Sequence, residues 1–233
     1  MSVTVAYIWF FCTKGGDKMS SLENRVTLNT YLREATMCLA LQLISDGKEE
    51  YTPPHLFVKR CFEPLGENAR VLEIGAADGA FANGMRLGGL NIVVSEAVSS
   101  MRKYSSIPES EWILFNIIDD DFPDIFDGIL AWRVFIHFSS KDLAISLDKS
   151  YRALNPGGRL VFNLYSNKAH PEYDGGAHDN SSSPTWAYSQ RYYFSYSEEY
   201  VRELIEKTPF RVAHFHREGE NDEWLVFVLE KPR

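Results

Sequence analysis

The sequence contains little that would mark a secreted protein. Three cysteines, Cys12, Cys38 and Cys61, occur among its 233 residues, and no two of them have the C-x-x-C spacing. Secreted domains usually carry an even set of cysteines that form disulfides. An odd number of unpaired cysteines therefore predicts reduced thiols and a cytoplasmic location.

Basic residues are also few. The chain has 24 Lys and Arg against 32 Asp and Glu, which gives a formal net charge of −8. Affinity for a nucleic-acid backbone depends on clustered Lys and Arg. We therefore expect no nucleic-acid partner.

Long apolar runs are missing as well. The run from Val3 to Cys12 is too short to span a bilayer and has no basic residue before it, as a signal peptide would. We interpret it as an added strand or an extended arm, with Met19 as an alternative start. No membrane partner is expected.

From residue 70 onward the sequence alternates short apolar runs with helical patterns. This alternation is typical of βαβ units around a parallel sheet, and a chain of this length holds one such domain with additions. A charged turn near the C-terminus predicts a closing antiparallel hairpin. The predicted strands are Arg70–Ile74, Asn91–Ser95, Trp112–Phe115, Gly128–Trp132, Arg159–Leu164, Phe210–Arg217 and Glu223–Leu229.

The predicted helices are placed by apolar spacing and by capping signals. Helices are expected at Ala80–Leu87 and Val98–Tyr104, and after the capping boxes Ser139-x-x-Asp142 and Ser195-x-x-Glu198. Two further helices, at residues 20–46 and His55–Glu63, precede the sheet. They either roof the mouth of a site or cover a sheet edge, so residues 1–65 are predicted to be an N-terminal arm and cover.

The strand, turn and helix at residues 71–81 carry the clearest chemical signal. Glycines at Gly75 and Gly79 permit a tight turn and let the backbone approach a ligand closely. Such a turn, with Glu96 about 20 residues further on, suits a nucleotide-like cofactor. A dinucleotide and a nucleoside with another substituent are both open on this pattern.

The order of these segments resembles the class I S-adenosylmethionine (SAM)-dependent methyltransferases over about residues 70–230. The resemblance rests on Val71 to Gly79, on Glu96, on Asn116-Ile117, and on the segments Phe126–Phe138 and Leu154–Gly158. It implies a Rossmann-like three-layer α/β sandwich at 66–233. Its mixed seven-stranded sheet would have the order 3-2-1-4-5-7-6, with the last hairpin antiparallel.

The resemblance implies SAM as cofactor and S-adenosylhomocysteine as product. Charge supports this reading, because the carboxylates of Glu73 and Asp78 would repel a pyrophosphate and attract the cationic sulfonium and ammonium of SAM. Ala77 replaces the family's middle glycine and Asn116 its commoner aspartate, both mild changes. The cofactor-binding residues it implies are Glu73, Gly75, Ala76, Gly79, Glu96, Ala97, Asn116, Ile117, Trp132 and Arg133. Trp132 and Arg133 would border the methionine moiety, although Arg133 could instead pair with Asp119–Asp121.

The acceptor side is defined less sharply. His137 follows strand 4 on the ligand side, and its pKa would suit a base near neutrality. A loop insertion at residues 165–195 is rich in aromatic residues and would wall the site, with Tyr165 and His170 as further catalytic candidates. His214 and His216 alternate on one strand without a third ligand, so no metal is expected.

The function predicted from this pattern is an enzyme, a SAM-dependent methyltransferase that acts on oxygen or nitrogen of a small molecule. A protein substrate is one alternative. A protein that binds SAM or S-adenosylhomocysteine without methylation, as a regulatory subunit, is another. A monomer or homodimer is expected.

Overall fold

The computed structural model describes residues 20–33, 53–168, 177–179 and 191–233. The predicted arm at Val3–Cys12, the second half of the first predicted helix and the candidate His170 lie outside these ranges. Side chains are described for all of them except 53–55 and 177–179.

The described strands form one sheet with a parallel centre. The strands are β1 Arg70–Ile74, β2 Asn91–Glu96, β3 Trp112–Leu114, β4 Phe126–Ala131, β5 Leu154–Ser166, β6 Ala177–Asp179, β7 Tyr192–Tyr196, β8 Arg211–Glu218 and β9 Trp224–Glu230. The order along the sheet begins β3-β2-β1-β4-β5, and β9 lies antiparallel between β5 and β8. The predicted sixth and seventh strands correspond to β8 and β9, so the predicted order 3-2-1-4-5-7-6 with its antiparallel closing hairpin is confirmed.

The insertion after β5 contains strands where the sequence predicted a loop. β7 runs parallel to the last residues of β5, with Tyr165 opposite Ser195, and β6 pairs antiparallel with β7. β5 is long enough for this because it continues past the end of β4. The insertion therefore extends the sheet at its carboxyl edge, beside the expected ligand site.

The helices pack on both faces of the sheet. Short 3-10 turns occur at Glu63–Leu65, Met101–Tyr104, Glu109–Glu111 and Phe135–His137. The α-helices are α1 at residues 22–33, α2 Pro53–Phe62, α3 Ala80–Leu87, α4 Ser140–Ala153 and α5 Glu198–Glu206.

Two helix predictions need correction. No α-helix forms at Val98–Tyr104, because the backbone becomes extended at Ser105 after a single 3-10 turn at Met101–Tyr104. The cap of α5 is Ser197, which accepts from the amide of Tyr200, whereas Ser195 lies inside β7. The predicted cap of α4 is confirmed, since the Ser139 side chain accepts from the amide of Asp142.

Alternate residues of the strands fill two cores, one on each face of the sheet. Leu72, Ile129 and Phe162 belong to the core that includes residues of α4 and α5. Val71 and Leu130 belong to the core that includes residues of α2 and α3. Each buried side chain of this size contributes about 1.5–3 kcal/mol through loss of apolar surface. The cores hold the strand ends in register, and the site is built at those ends.

The one cysteine in the described ranges is chemically quiet. Cys61 of α2 is buried, and burial raises the pKa of its thiol to about 12. A thiol in this environment stays protonated and is a poor nucleophile.

Candidate functional site

The turn between β1 and α3 has a backbone that is left-handed at three positions. Gly75, Ala77 and Gly79 have φ values of 68°, 52° and 80°. A Cβ on Gly75 would lie 2.6 Å from Cγ2 of Val134, and one on Gly79 would lie 2.7 Å from Cδ1 of Ile107. Close packing and left-handed φ thus both require glycine at these two positions.

Glu96, at the end of β2, fastens this turn. Its Oε2 accepts from the amide of Ala77 at 2.9 Å, and its Oε1 accepts from the amide of Val98 at 2.9 Å. The first bond helps to hold the left-handed conformation of Ala77, which costs about 1–2 kcal/mol in a residue with a side chain. Burial raises the pKa of Glu96, and the backbone hydrogen bonds partly offset that rise. Each carboxylate oxygen keeps a lone pair, so a vicinal diol can still donate to both.

Glu73 is a second buried carboxyl group at the carboxyl end of the sheet. Its side chain is 3% exposed, and Oε2 has no hydrogen-bond partner among the described residues. Burial, together with the negative charges of Glu96 and Asp78, raises its pKa to about 8. A buried carboxyl group without a partner is costly, and a cation beside it would remove that cost. Its position therefore suits an ammonium group.

Asn116 and Ile117 follow β3 and lie in a tight turn. The Asn116 side chain donates to Oδ2 of Asp119 at 3.1 Å and accepts from the amide of Ile118 at 3.1 Å. Ile117 is 1% exposed and belongs to the core. The adenine contact expected of these two residues stays a prediction.

Trp132 and Arg133, which follow β4, point in different directions. Trp132 stacks on Phe81 of α3, with ring centroids 6.1 Å apart. Arg133 has a φ of 59°, and its guanidinium carbon lies 5.6 Å from the ring centroid of Trp224 on β9. The alternative ion pair of Arg133 with Asp119–Asp121 does not occur in the described part of the chain.

His137 is buried in the 3-10 turn after β4. Its Nδ1 lies 2.7 Å from the carbonyl oxygen of Tyr192, which can only accept, so Nδ1 carries the hydrogen. Its Nε2 is then an acceptor and faces the hydroxyl of Tyr31 at 3.2 Å. Burial lowers the pKa of His137 to about 4, with a further contribution from the charge of Arg191. The ring is therefore neutral near pH 7, with the unprotonated nitrogen towards α1.

α1 lies over this end of the sheet. Its residues Leu28 and Tyr31 pack against Val98 and Met101, which Ala77 of the turn also contacts. The helix begins beside two carboxylates, because Ser20 donates to Asp119 and the amide of Ser21 donates to Asp142. These contacts place α1 beside the turn of the expected cofactor site.

A single residue of the insertion joins α1 to His137. The amide of Tyr192 donates to the hydroxyl of Thr27 on α1 at 2.9 Å, and its carbonyl accepts from His137. The amide of Tyr192 therefore holds α1, and its carbonyl group holds the 3-10 turn that carries His137.

Five rings form a continuous row along the carboxyl edge of the sheet. The consecutive centroid distances are 4.4 Å for Trp224–Tyr165, 5.9 Å for Tyr165–Tyr193, 4.8 Å for Tyr193–His137 and 5.6 Å for His137–Tyr31. We call this set the aromatic row. Arg191 lies over the rings of Tyr31 and Tyr193 at 5.2 and 5.9 Å.

The sequence identified part of this row. Tyr165 and His137 are predicted near the site, and Tyr193 lies in the predicted insertion at 165–195. Tyr31 belongs only to the predicted helix at residues 20–46, and Trp224 only to a predicted strand. The predicted strand order already places the strand of Trp224 beside β5, where Trp224 pairs with Tyr165. Nothing local to Tyr31 or Arg191 indicates that they meet, since 160 residues separate them.

The two strand histidines lie elsewhere. His214 and His216 pack on Phe57 of α2, and their own ring centroids are 5.3 Å apart. Burial and the neighbouring His214 lower the pKa of His216. The described residues contain no group of three or more potential metal ligands.

With this geometry in view, comparison with known proteins is informative. A family model described as a methyltransferase domain matches residues 48–214, which is well over half of the chain. The chain belongs to the methyltransferase-domain family. No curated protein matches it.

Solved structures share the methyltransferase fold at low sequence identity. A SAM-dependent methyltransferase from Methanosarcina mazei has a TM-score of 0.63 and 16% identity, covering 72% of this chain and 94% of its own. The 1,6-didemethyltoxoflavin-N1-methyltransferase of Burkholderia thailandensis has a TM-score of 0.57 and 18% identity, covering 86% and 89%. The N-methyltransferase NodS of Bradyrhizobium japonicum, with S-adenosylhomocysteine, has a TM-score of 0.56 and 16% identity, covering 77% and 86%.

The cofactor of these methyltransferases is SAM, and the residues of this site fit it. The unpartnered Oε2 of Glu73 suits the ammonium, and the remaining lone pairs of Glu96 suit the ribose hydroxyls. No basic side chain hydrogen-bonds to either carboxylate in the described part of the chain. No helix among the described residues is long and apolar enough to cross a membrane.

Proposed function

We propose that this methyltransferase domain transfers a methyl group from SAM to an oxygen or nitrogen atom of a small-molecule acceptor. The observation that carries the proposal is the aromatic row, which runs from β9 to α1 along the same edge of the sheet as Glu73 and Glu96. A row of flat rings suits a small planar acceptor. Family membership indicates SAM as the methyl donor, and the aromatic row would contact the acceptor.

The cofactor-binding residues keep the roles given by the sequence. Glu73 would hold the ammonium, Glu96 the ribose, and the backbone of the turn the body of the cofactor. When bound, SAM supplies a methyl group on a sulfonium that is ready for in-line displacement. The set proposed for cofactor binding is Glu73, Gly75, Ala76, Gly79, Glu96, Ala97, Asn116, Ile117 and Trp132. Arg133, which the resemblance also placed in this set, is proposed below to face the acceptor instead.

His137 is proposed to position the acceptor side of the site. Its pKa of about 4 makes it a weak base, and its unprotonated Nε2 already accepts from the hydroxyl of Tyr31. Because an in-line methyl transfer depends mainly on alignment, a side chain that holds Tyr31 and the rest of the aromatic row in place contributes through orientation. Tyr165 lines the same wall, and the role of His170 stays a prediction.

The small-molecule class is supported by charge and by cover. The net charge of −8 disfavours a nucleic-acid partner. α1 also packs on Val98 and Met101, which Ala77 of the turn contacts too, and this leaves less room for a folded protein to approach the donor. The fold neighbour from Burkholderia thailandensis is itself described with bound 1,6-didemethyltoxoflavin, a small molecule. A monomer or homodimer without a membrane partner is part of the same proposal.

Two measurements test the proposal. Calorimetric titration with S-adenosylhomocysteine should give one site, and labelled SAM with a metabolite panel should give a labelled small product. An absence of binding would refute the cofactor assignment. Binding with no labelled product would favour a non-catalytic SAM-binding protein, and label on protein substrates would favour a protein methyltransferase.

A further inference from the structure

Arg133 is a cation at the site with no carboxylate partner. Its side chain is exposed, and within the described part of the chain it makes no ion pair. Asp222, in the turn of the hairpin that carries Trp224, pairs with Lys168.

The backbone of Arg133 is held in an unfavourable conformation. A φ of 59° in a residue with a long side chain costs about 1–2 kcal/mol. The amide of Arg133 donates to Oδ1 of the buried Asn163 at 2.6 Å, which fixes this conformation from β5. Strain of this kind persists where surrounding structure enforces it, and such residues cluster at ligand sites.

The enforced conformation directs the guanidinium towards the acceptor side. Its central carbon lies 5.6 Å from the ring centroid of Trp224. Burial raises the pKa of Tyr165, and the positive charge of Arg133 limits that rise. Arg133 therefore points towards Trp224 on β9, and no hydrogen bond or ion pair joins it to Glu73 or Glu96 in the described part of the chain.

We propose that Arg133 binds a carboxylate group of the acceptor, while Trp224 and Tyr165 contact the acceptor's planar body. This inference rests on the proposed function. A guanidinium binds a carboxylate through two parallel hydrogen bonds, and its planar fork gives that pairing direction. The substrate class is therefore an aromatic or otherwise planar acid that carries the hydroxyl or amino group to be methylated.

The test compares acids with their neutral amides on the S-adenosylhomocysteine-loaded protein. The probes are 4-hydroxybenzoate with 4-hydroxybenzamide, and indole-3-acetate with indole-3-acetamide, titrated by ligand-observed NMR. The wild-type protein is expected to bind at least one acid about tenfold or more tightly than its amide, as a charge-assisted pair implies. In Arg133→Met that ratio should fall to about one, and in Arg133→Lys it should be intermediate.

Two further variants keep the test sharp. Arg133→Gly removes the guanidinium and relieves the left-handed strain, so it should fold at least as well as the wild type and lose the same preference. Arg152→Met removes an exposed arginine on α4 that pairs with Asp148, and it should behave as the wild type. Affinity for S-adenosylhomocysteine should stay within about twofold in every variant.

Three results would overturn the inference. The first is no binding of either acid, or equal binding of acid and amide, by the wild type. The second is an acid preference that survives Arg133→Gly. The third is a tenfold loss of S-adenosylhomocysteine affinity in Arg133→Met, which would assign Arg133 to the methionine carboxylate of the cofactor. Failure of the proposed function reads differently, because the wild type would then not bind S-adenosylhomocysteine at all.

Discussion

Glu73 and Glu96 lie on neighbouring strands of the sheet, and burial of Glu73 together with the charge of Glu96 raises the pKa of the Glu73 carboxyl group. Glu96 is neutralised in part by backbone amides, whereas Oε2 of Glu73 has no partner in the described part of the chain. Two buried acidic groups on neighbouring strands favour the binding of a cation at this site.

Cofactor binding should release a proton from Glu73. With a pKa of about 8 the free carboxyl group is mostly protonated at pH 7, and an ammonium beside it favours the charged form. We expect release of up to about 0.9 proton per bound S-adenosylhomocysteine at pH 7. The binding enthalpy should therefore differ between phosphate and Tris buffers in proportion to their ionisation enthalpies. Glu73→Gln should lose this buffer dependence, and identical heats for the wild type in both buffers would contradict the assignment.

The same group should make the free protein less stable as pH rises. Between the ordinary value of 4.5 and the folded value of about 8, the folded state holds a proton that the unfolded state has lost. Stability therefore falls with increasing pH across this window, by roughly 5 kcal/mol in total. Glu73→Gln should flatten the dependence of the urea midpoint on pH between 5.5 and 8, on a scale set by the linkage relation. Glu67→Gln, at an exposed position, is the matched control, and an unchanged slope in Glu73→Gln would refute the prediction.

Replacing Glu96 should separate binding from folding. Glu96→Ala removes the acceptor for the amides of Ala77 and Val98, so we expect a stability loss of about 1–3 kcal/mol and loss of cofactor binding. Glu96→Gln keeps one acceptor oxygen and should fold better while still binding at least about tenfold more weakly. Thermal melts and calorimetry measure the two effects. Wild-type affinity in Glu96→Gln would show that the ribose does not contact this carboxylate.

Removing the hydroxyl of Tyr31 should loosen α1. Tyr31→Phe leaves the buried Nε2 of His137 without its donor, which should cost about 1–3 kcal/mol. Amide hydrogen exchange across residues 22–33 should accelerate by a similar free energy. Tyr151→Phe is a suitable control, because its ring packs on Phe210 and its hydroxyl makes no hydrogen bond within the described residues. Equal exchange rates in both variants would exclude Tyr31 as the fastening residue.

His137 should show one tautomer and no titration near neutrality. Its Nδ1 hydrogen bond to a carbonyl fixes the hydrogen on Nδ1, and burial lowers the pKa to about 4. Nitrogen NMR shifts of the ring should therefore stay constant from pH 8 to pH 6. Because the unfolded ring is protonated below its ordinary value of 6.5, His137 should reduce stability as pH falls from 6.5 towards 4. A ring that titrates between pH 6 and 7 would disprove this environment.

Much of the sheet followed from local sequence. The apolar run before Gly75 and the carboxylate that ends β2 are adjacent in sequence to the elements they define, so β1, its turn and Glu96 were predictable. The helix expected at Val98–Tyr104 was wrong. Helical spacing does not show where the chain must turn, and here the backbone becomes extended at Ser105 after a single 3-10 turn.

The aromatic row and the position of Arg133 depend on contacts between residues far apart in the sequence. Trp224 meets Tyr165 only because β9 inserts beside β5, and Tyr31 meets Arg191 only because α1 lies over the insertion. The direction of Arg133 depends on a left-handed backbone and on Asn163, which lies 30 residues away. Sequence predicted that residues of these kinds would surround a site, and the topology determined which ones meet.

The two backbone hydrogen bonds of Tyr192 couple α1 to β7 and to His137. Its amide donates to Thr27 on α1, and its carbonyl accepts from His137 beside β4. Displacement of either α1 or β7 would therefore break a hydrogen bond that also holds the other element. Admission of an acceptor and departure of its methylated product would then share a single opening step. The pace of that step would depend on a threonine hydroxyl and a histidine ring that need not touch the reacting atoms.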